Sequence, residues 1–230
     1  MVSAIVCAYN EEKTIGPILE VLLSHPKVDE VIVVDDGSTD RTGKIIDSIK
    51  SDKLIKIHHP KNLGKGAAVA SAVKASRGKF LLFADADLIN FHPLHVDLLL
   101  SPLLIEPNCM VIGLREFKHA HEKTFSWLLR LFNGERALNK QQILPILKRL
   151  ETSGYGVEVI LNLRLVHQGR PIYYVPLPNL IHLIKQDKHP LYKYISEYIK
   201  ENKDIIRQYL NPENKAFEAF LKQLTTRLRI

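Results

Sequence analysis

The sequence predicts an α/β protein with a mostly parallel sheet flanked by helices and a helical C-terminal extension. Three observations carry this. Strand-like and helix-like segments alternate through the first half of the chain. Its second strand, Val31-Ile32-Val33-Val34, is apolar on both faces, as a central parallel strand must be. Polar clusters follow the ends of the strands, the edge at which open α/β sheets hold their ligands. Strands alternating with helices imply right-handed β-α-β units covered on both sides.

The elements follow in order. Val2–Ala8 reads as a β-rich run, and Glu12–Ser24 has helical spacing through Ile15, Ile18, Leu19, Leu22 and Leu23. Pro17 falls in its first turns, where a missing N–H matters least. Glu30–Asp35 is the second strand, and Thr39-Asp40 opens a helix through Ile45, Ile46 and Ile49, with either residue as its cap. Leu54–His58 is a third strand, Lys65–Ser76 an alanine-rich helix and Lys79–Ala84 a fourth strand. Beyond it the spacing predicts helices over Pro93–Ile105, Thr124–Phe132, Gln141–Leu150 and Gly156–Gln168, and strands over Cys109–Gly113 and Pro171–Pro176. From His189 onward two amphipathic helices divide at Asn211-Pro212. The expected division is a domain of residues 1–188, whose parts are 1–115 and 116–188, followed by the extension 189–230.

At 230 residues, 46% hydrophobic and 25% charged, the chain is long and apolar enough to bury a real core. A formal charge of +7 suits a polyanionic ligand such as a nucleotide or phosphosugar, and equally a well-solvated basic surface. Nucleic-acid binding would rest on that charge alone, since no nucleic-acid module is recognisable. Cys7 and Cys109 lie in apolar runs and read as reduced thiols of a cytoplasmic protein; neither a signal peptide nor a bilayer-spanning run is read. Residues 191–230 carry eight Lys/Arg against five Asp/Glu and an apolar stripe through Phe217, Phe220, Leu221, Leu224 and Leu228. That stripe is expected to pack on its own domain or on the second copy of a homodimer, with peripheral membrane contact ranked third.

The chemistry starts at Asp85-Ala86-Asp87, directly after the apolar run Phe80–Ala84. Two carboxylates at i and i+2, held where a buried strand ends, reach one hard cation from the same side. Mg²⁺ and Mn²⁺ prefer such oxygens and share them with substrate phosphates. Gly64-Lys65-Gly66 lies at a helix start, where exposed N–H groups and a lysine favour phosphate. Glu158 follows a Gly154–Gly156 loop and opens a helix, either as a functional carboxylate or as a charge that favours the helix dipole. Arg136 can grip a phosphate or carboxylate with two parallel bonds, or pair locally with Glu135; Arg115 is a second candidate for the same task.

Taken together, Ala8-Tyr9-Asn10-Glu11-Glu12, Val34-Asp35-Asp36-Gly37-Ser38-Thr39-Asp40, Asn62-Leu63-Gly64-Lys65-Gly66 and Phe83-Ala84-Asp85-Ala86-Asp87-Leu88 resemble the nucleotide-sugar half of family 2 glycosyltransferases with the GT-A fold. The resemblance covers residues 1 to about 115 closely. Asp87-Leu88-Ile89-Asn90-Phe91-His92-Pro93, Gly134-Glu135-Arg136-Ala137 and Gly154-Tyr155-Gly156-Val157-Glu158 are similar to the glucosyl-3-phosphoglycerate synthase branch. Polyprenyl-phosphate mannosyltransferases, the next relatives, carry Gln where this chain has Ile89, so one of their metal ligands is missing.

The resemblance implies a metal-dependent transferase taking a nucleoside-diphosphate sugar and a small anionic acceptor. It makes Asp87 the direct ligand of Mg²⁺ or Mn²⁺ and a catalytic residue, with Asp85 acting through the metal, the ribose or a bound water. His182 matches a third metal ligand. Asp36 is to accept a hydrogen bond from the base, with Tyr9 packed on it and the Ala8 backbone beside it. Asn10, Glu12, Lys65 and Ala86 are to lie along the nucleotide sugar, and Glu158 is to serve as general base or acceptor orienter. Sugar nucleotidyltransferases share the fold but need a Gly-rich loop with an arginine after the first strand, which Ala8-Tyr9-Asn10-Glu11 lacks. A non-catalytic binding module would have lost the metal carboxylates, and both are present.

Overall fold

The computed structural model describes residues 1–115, 133–153 and 156–182. Thr124–Phe132 and the extension 189–230 lie outside them. The strands are β1 (Val2–Ala8), β2 (Glu30–Asp35), β3 (Leu54–His58), β4 (Phe80–Asp85), β5 (Leu88–Ile89), β6 (Met110–Arg115), β7 (Arg136–Asn139), β8 (Ile172–Leu177) and β9 (Ile181–His182). The helices are α1 (Ile15–Ser24), α2 (Thr42–Ser48), α3 (Lys65–Ala75), α4 (Pro93–Ile105), α5 (Lys140–Ile143), α6 (Leu147–Glu151) and α7 (Val157–His167). Seven strands form one sheet in the order β3-β2-β1-β4-β7-β6-β8, and β5 pairs with β9 in a separate ribbon.

β1 to β4 pair in parallel, as the alternation predicts. Their side chains point alternately to two cores. Ala4, Val6, Val31 and Val33 face one, with α1 and α4, while Ile5, Ile32 and Val34 face the other, with α3 and α7. Leu82 and Leu99 are fully buried, and truncating either to alanine costs about 2–5 kcal/mol.

Two expectations are corrected. Gln141–Leu150 is not one helix, because Pro145 interrupts it: α5 ends at Ile143, a 3-10 turn covers Leu144–Ile146, and α6 starts afresh. Residues 136–139, read only as part of a motif, form strand β7, antiparallel to both β4 and β6. Four residues that include a charged arginine carry no strand period of their own, and pairing on both sides makes the strand. Helix starts also move inward, α1 beginning at Ile15 and α2 at Thr42. Asp40 still serves α2, since its Oδ1 accepts from the Thr42 N–H at 2.9 Å. Among the described residues, no helix is long and apolar enough to cross a membrane.

Candidate active site

Parallel register brings the polar clusters to one edge of the sheet. Ala8 stands opposite Asp35, Asp35 opposite His58, and Cys7 opposite Asp85. The site is built outward from that row.

Asn10 has a φ of 58°, a left-handed conformation that asparagine tolerates better than other side chains. This turns its amide toward the β2–α2 loop, where Oδ1 accepts from Thr39 N at 2.8 Å while its own N–H donates to Ser38 Oγ at 2.9 Å. Glu12 Oε2 accepts from both the backbone N–H and Nε of Arg41 at 3.1 Å, and these bonds hold its carboxyl below the usual range. Both residues, expected along the nucleotide sugar, therefore tie two loops together. Tyr9, directly before Asn10, is 40% exposed, and Ala8 is buried, its carbonyl accepting from Asp36 N at 2.8 Å.

Asp36 is 4% exposed and faces the protein more than the sequence implies. Its Oδ1 takes His59 Nδ1 at 2.6 Å and Leu63 N at 3.0 Å, and its Oδ2 takes Gly64 N at 2.8 Å. That clamp shapes the loop leading into α3, whose first turn has no side-chain cap. Gly66 lies where an added Cβ would stand 2.1 Å from Leu150 O, so only glycine lets α3 pack this tightly on α6.

Lys65, the first residue of α3, is the centre of charge. Its Nζ lies 2.8 Å from Asp85 Oδ1 and 2.6 Å from Glu158 Oε1. Burial disfavours the ammonium, but the two carboxylates outweigh it and hold its pKa well above the ordinary lysine value. Glu158, 6% exposed, arrives on the first turn of α7, and Asp85 on the last residue of β4. The end of β4 and the start of α7 thus meet at one cation. Gly134 completes the floor, because a Cβ there would stand 2.1 Å from Asp85 Oδ2. Cys7, Phe83, Val157 and Leu161 line the same cavity with Lys65, Asp85, Gly134, Arg136 and Glu158. Burial in it pushes the Cys7 thiol up to about 12, with the Lys65 charge opposing.

Arg136 is a correction to the expected acceptor clamp. Only 2% exposed, it donates through Nη1 to Glu158 O at 3.2 Å and Asn162 Oδ1 at 3.1 Å, and through Nη2 to Asn133 O. Burial lowers its pKa against the pull of Glu158, Asp85 and Glu135. It fastens the 133–134 loop to α7 and presents no free fork to a ligand. Arg115 ends β6, paired in register with Leu177.

Ala86 is buried and its carbonyl accepts from Thr14 Oγ1 at 2.6 Å, which anchors the turn carrying Asp87. The β5–β9 pairing sets His182 opposite Leu88, one residue beyond Asp87. His95 supports that placement: Nε2 donates to Pro178 O at 2.9 Å, while Nδ1 accepts from His92 N at 3.1 Å. Sequence reasoning missed His59, His95, Thr14, Asn133 and the tight approach at Gly134. Thr14 reaches Ala86 across 72 residues, His95 reaches Pro178 across 83, His59 reaches Asp36 across 23 and Asn133 reaches Gly113 across 20, separations that no local pattern spans. In the Gly-Glu-Arg string only the glycine hints at a close contact.

The chain matches the Glycosyl transferase family 2 domain over residues 3–159. It is 34% identical over 145 residues to a dolichyl-phosphate beta-glucosyltransferase of Trichomonas vaginalis, which covers 56% of this chain and 43% of that protein. It is 39% identical over 112 residues to the glucosyl-3-phosphoglycerate synthase of Mycolicibacterium paratuberculosis, covering 45% of this chain and 33% of the relative. The chain thus spans less than half the length of these curated relatives. Among solved structures, glucosyl-3-phosphoglycerate synthase from Mycobacterium tuberculosis in complex with Mn²⁺, uridine diphosphate and phosphoglyceric acid superposes with a TM-score of 0.70 at 26% identity, over 93% of this chain and 80% of that one. The same enzyme with Mg²⁺ and uridine diphosphate gives 0.67 at 26%, over 87% and 79%. The family match spans more than half of the chain and the superposition agrees with it, so the chain belongs to glycosyltransferase family 2.

Proposed function

We propose that this protein transfers a sugar from a nucleoside diphosphate to a small anionic acceptor of the phosphoglycerate type. The observation that carries the reading is Lys65, held between Asp85 of the donor motif and Glu158 of the acceptor half at 2.8 and 2.6 Å. An anionic donor and an anionic acceptor brought to one ammonium are placed for reaction without mutual repulsion, and positioning of this kind is a large part of catalysis.

Asp85, Asp87 and His182 would hold Mg²⁺ or Mn²⁺. Their oxygen and imidazole donors suit such a cation, and the missing Cβ at Gly134 leaves the Asp85 carboxylate its space. The cation, when bound, supplies positive charge to the departing diphosphate. The N-terminus of α3 and Lys65 face the phosphates, Tyr9 and Asp36 receive the base, and Asn10 and Glu12 hold the loops that frame it. In the transfer, an acceptor hydroxyl oxygen bonds to the anomeric carbon as that carbon's bond to the β-phosphate oxygen breaks. Glu158 orients that hydroxyl or takes its proton. An acceptor anion drawing Lys65 away would free Glu158 Oε1 for either task. The division at residue 115 between donor and acceptor halves belongs to the same reading.

Two solved relatives support the acceptor class, being complexes with uridine diphosphate and phosphoglyceric acid or glucosyl-3-phosphoglycerate. A second reading, transfer to a polyprenyl phosphate, draws on the dolichyl-phosphate glucosyltransferases among the relatives, including a human one at 42% identity over 98 residues. Ile89, which pairs with Ile181 in the ribbon, argues against it, because the metal-binding Gln of the polyprenyl-phosphate mannosyltransferases is absent there. The test is an assay of UDP-glucose and GDP-mannose against 3-phosphoglycerate and a short polyprenyl phosphate, with and without Mn²⁺. Metal-dependent turnover of the phosphoglycerate is expected. Turnover of the polyprenyl phosphate alone reverses the order of the two readings.

A further inference from the structure

His59 follows β3 and stands in no motif, yet both of its ring nitrogens are committed. Nδ1 lies 2.6 Å from Asp36 Oδ1 and Nε2 lies 3.0 Å from Ser71 Oγ, with the ring 9% exposed. The carboxylate can only accept, so Nδ1–H donates, and in the neutral ring Nε2 then accepts the Ser71 hydroxyl. This is a serine–histidine–aspartate chain, but not a nucleophilic one. Ser71 sits inside α3, where neighbouring backbone N–H groups are taken by the helix and none remains to receive an oxyanion.

A carboxylate has about four lone-pair directions. His59 and Leu63 fill those of Oδ1, and Gly64 takes one of Oδ2. What Asp36 offers a ligand is therefore a single lone pair, on Oδ2. Its direction depends on χ2, a broad two-fold torsion that packing must hold. His59 makes the shortest of the three bonds and is itself anchored twice, by Ser71 and by its backbone N–H to Asp35 O at 2.9 Å. We propose that His59, backed by Ser71, is the positioning residue that aims the remaining lone pair of Asp36 at an N–H on the edge of the donor's base. The chain thereby selects bases that present an N–H there, as uracil does, over cytosine, which presents a bare nitrogen. This rests on the reading of Asp36 as the base acceptor.

The experiment is calorimetric titration of the full chain with UDP and CDP in Mg²⁺, together with donor kinetics and thermal melts for each variant. His59→Ala and His59→Gln remove the donor from the Nδ1 position, and His59→Asn keeps an N–H there. The first two are expected to weaken UDP binding about tenfold, to narrow the preference for UDP over CDP, and to raise the donor KM more than they lower kcat. Asparagine restores most of the affinity. A purely structural role would lower the melting temperature of Gln and Asn variants alike without separating their UDP affinities, and that result overturns the proposal. So does His59→Gln binding UDP as tightly as the wild type. A wild-type chain that binds no UDP overturns the donor reading and the latch with it, whereas wild-type binding with intact His59→Gln affinity overturns the latch alone.

Discussion

Gly134→Ala tests the geometry of the site most directly. The added methyl carbon would stand 2.1 Å from Asp85 Oδ2, 2.2 Å from Oδ1 and 2.3 Å from Cγ, where real contacts begin at 3.0 Å. The carboxylate or the 133–134 loop must therefore yield by about 0.9 Å, the shortfall between those distances. Neither has slack: Lys65 holds Asp85 at 2.8 Å, and Arg136 binds the Asn133 carbonyl. Overpacking of this kind costs about 1–3 kcal/mol in stability, and at about 2–4 °C per kcal/mol for a chain of this size the melting temperature falls by roughly 2–12 °C. A displacement near 1 Å at the reacting centre costs about a hundredfold in rate, or roughly 2.7 kcal/mol of transition-state stabilisation. The assay is kcat/KM with saturating Mn²⁺ at 25 °C, where a melting curve shows the variant folded. Gly169→Ala is the control: its φ of +64° strains a Cβ that meets nothing within 4 Å, so it loses about 1 kcal/mol of stability and no activity. Gly134→Ala retaining kcat/KM within about threefold of wild type would refute the reasoning, since the distance argument demands about a hundredfold.

Three further outcomes are expected. Asp87→Ala abolishes transfer while leaving the melting temperature near wild type, because the residue sits in a partly exposed turn outside the core; near-normal turnover at chelator-controlled Mn²⁺ would contradict its assignment as metal ligand. Lys65→Met removes the ammonium that bridges Asp85 and Glu158 and destabilises the fold by about 3 kcal/mol, read by urea denaturation, with addition of Mn²⁺ recovering part of the loss. Glu30, 1% exposed, is desolvated, yet bonds from Ser3 Oγ at 2.6 Å, from the Arg77 backbone N–H at 2.6 Å and from Arg77 Nε at 2.8 Å lower its pKa below 4.5. Its contribution to stability is therefore complete above that pH and fades as the pH falls through the depressed value. The melting-temperature gap between wild type and Glu30→Gln is expected to be widest at pH 7 and to shrink at pH 3.5, and a constant gap contradicts the linkage.

Sequence alone determined the elements of the first half of the chain, because their information is local. Four short strands, apolar on the pleat, and the helices between them imply a parallel sheet of right-handed crossovers, although the order of its strands is set by the fold. That arrangement carries Tyr9, Asp36, Lys65 and Asp85 to one edge whatever the details of packing. Beyond residue 115, helix α7 and strand β8 were legible from their spacing, while residues 134–137 were legible only as a string. Strand β7 exists because β4 and β6 flank it, and Pro145 divides a helix that the apolar spacing alone would run together. Only the tertiary structure decided what the charged groups face. Arg136, a ligand clamp on paper, lies inside, donating to Glu158 O, Asn162 and Asn133. Asp36 is clamped by His59 from 23 residues away, and Lys65 joins carboxylates 20 and 93 positions along the chain. Backbone periodicity follows from the nearest few residues. The partner of a buried charge follows from which surfaces the folded chain brings within 3 Å, and no local pattern records that distance.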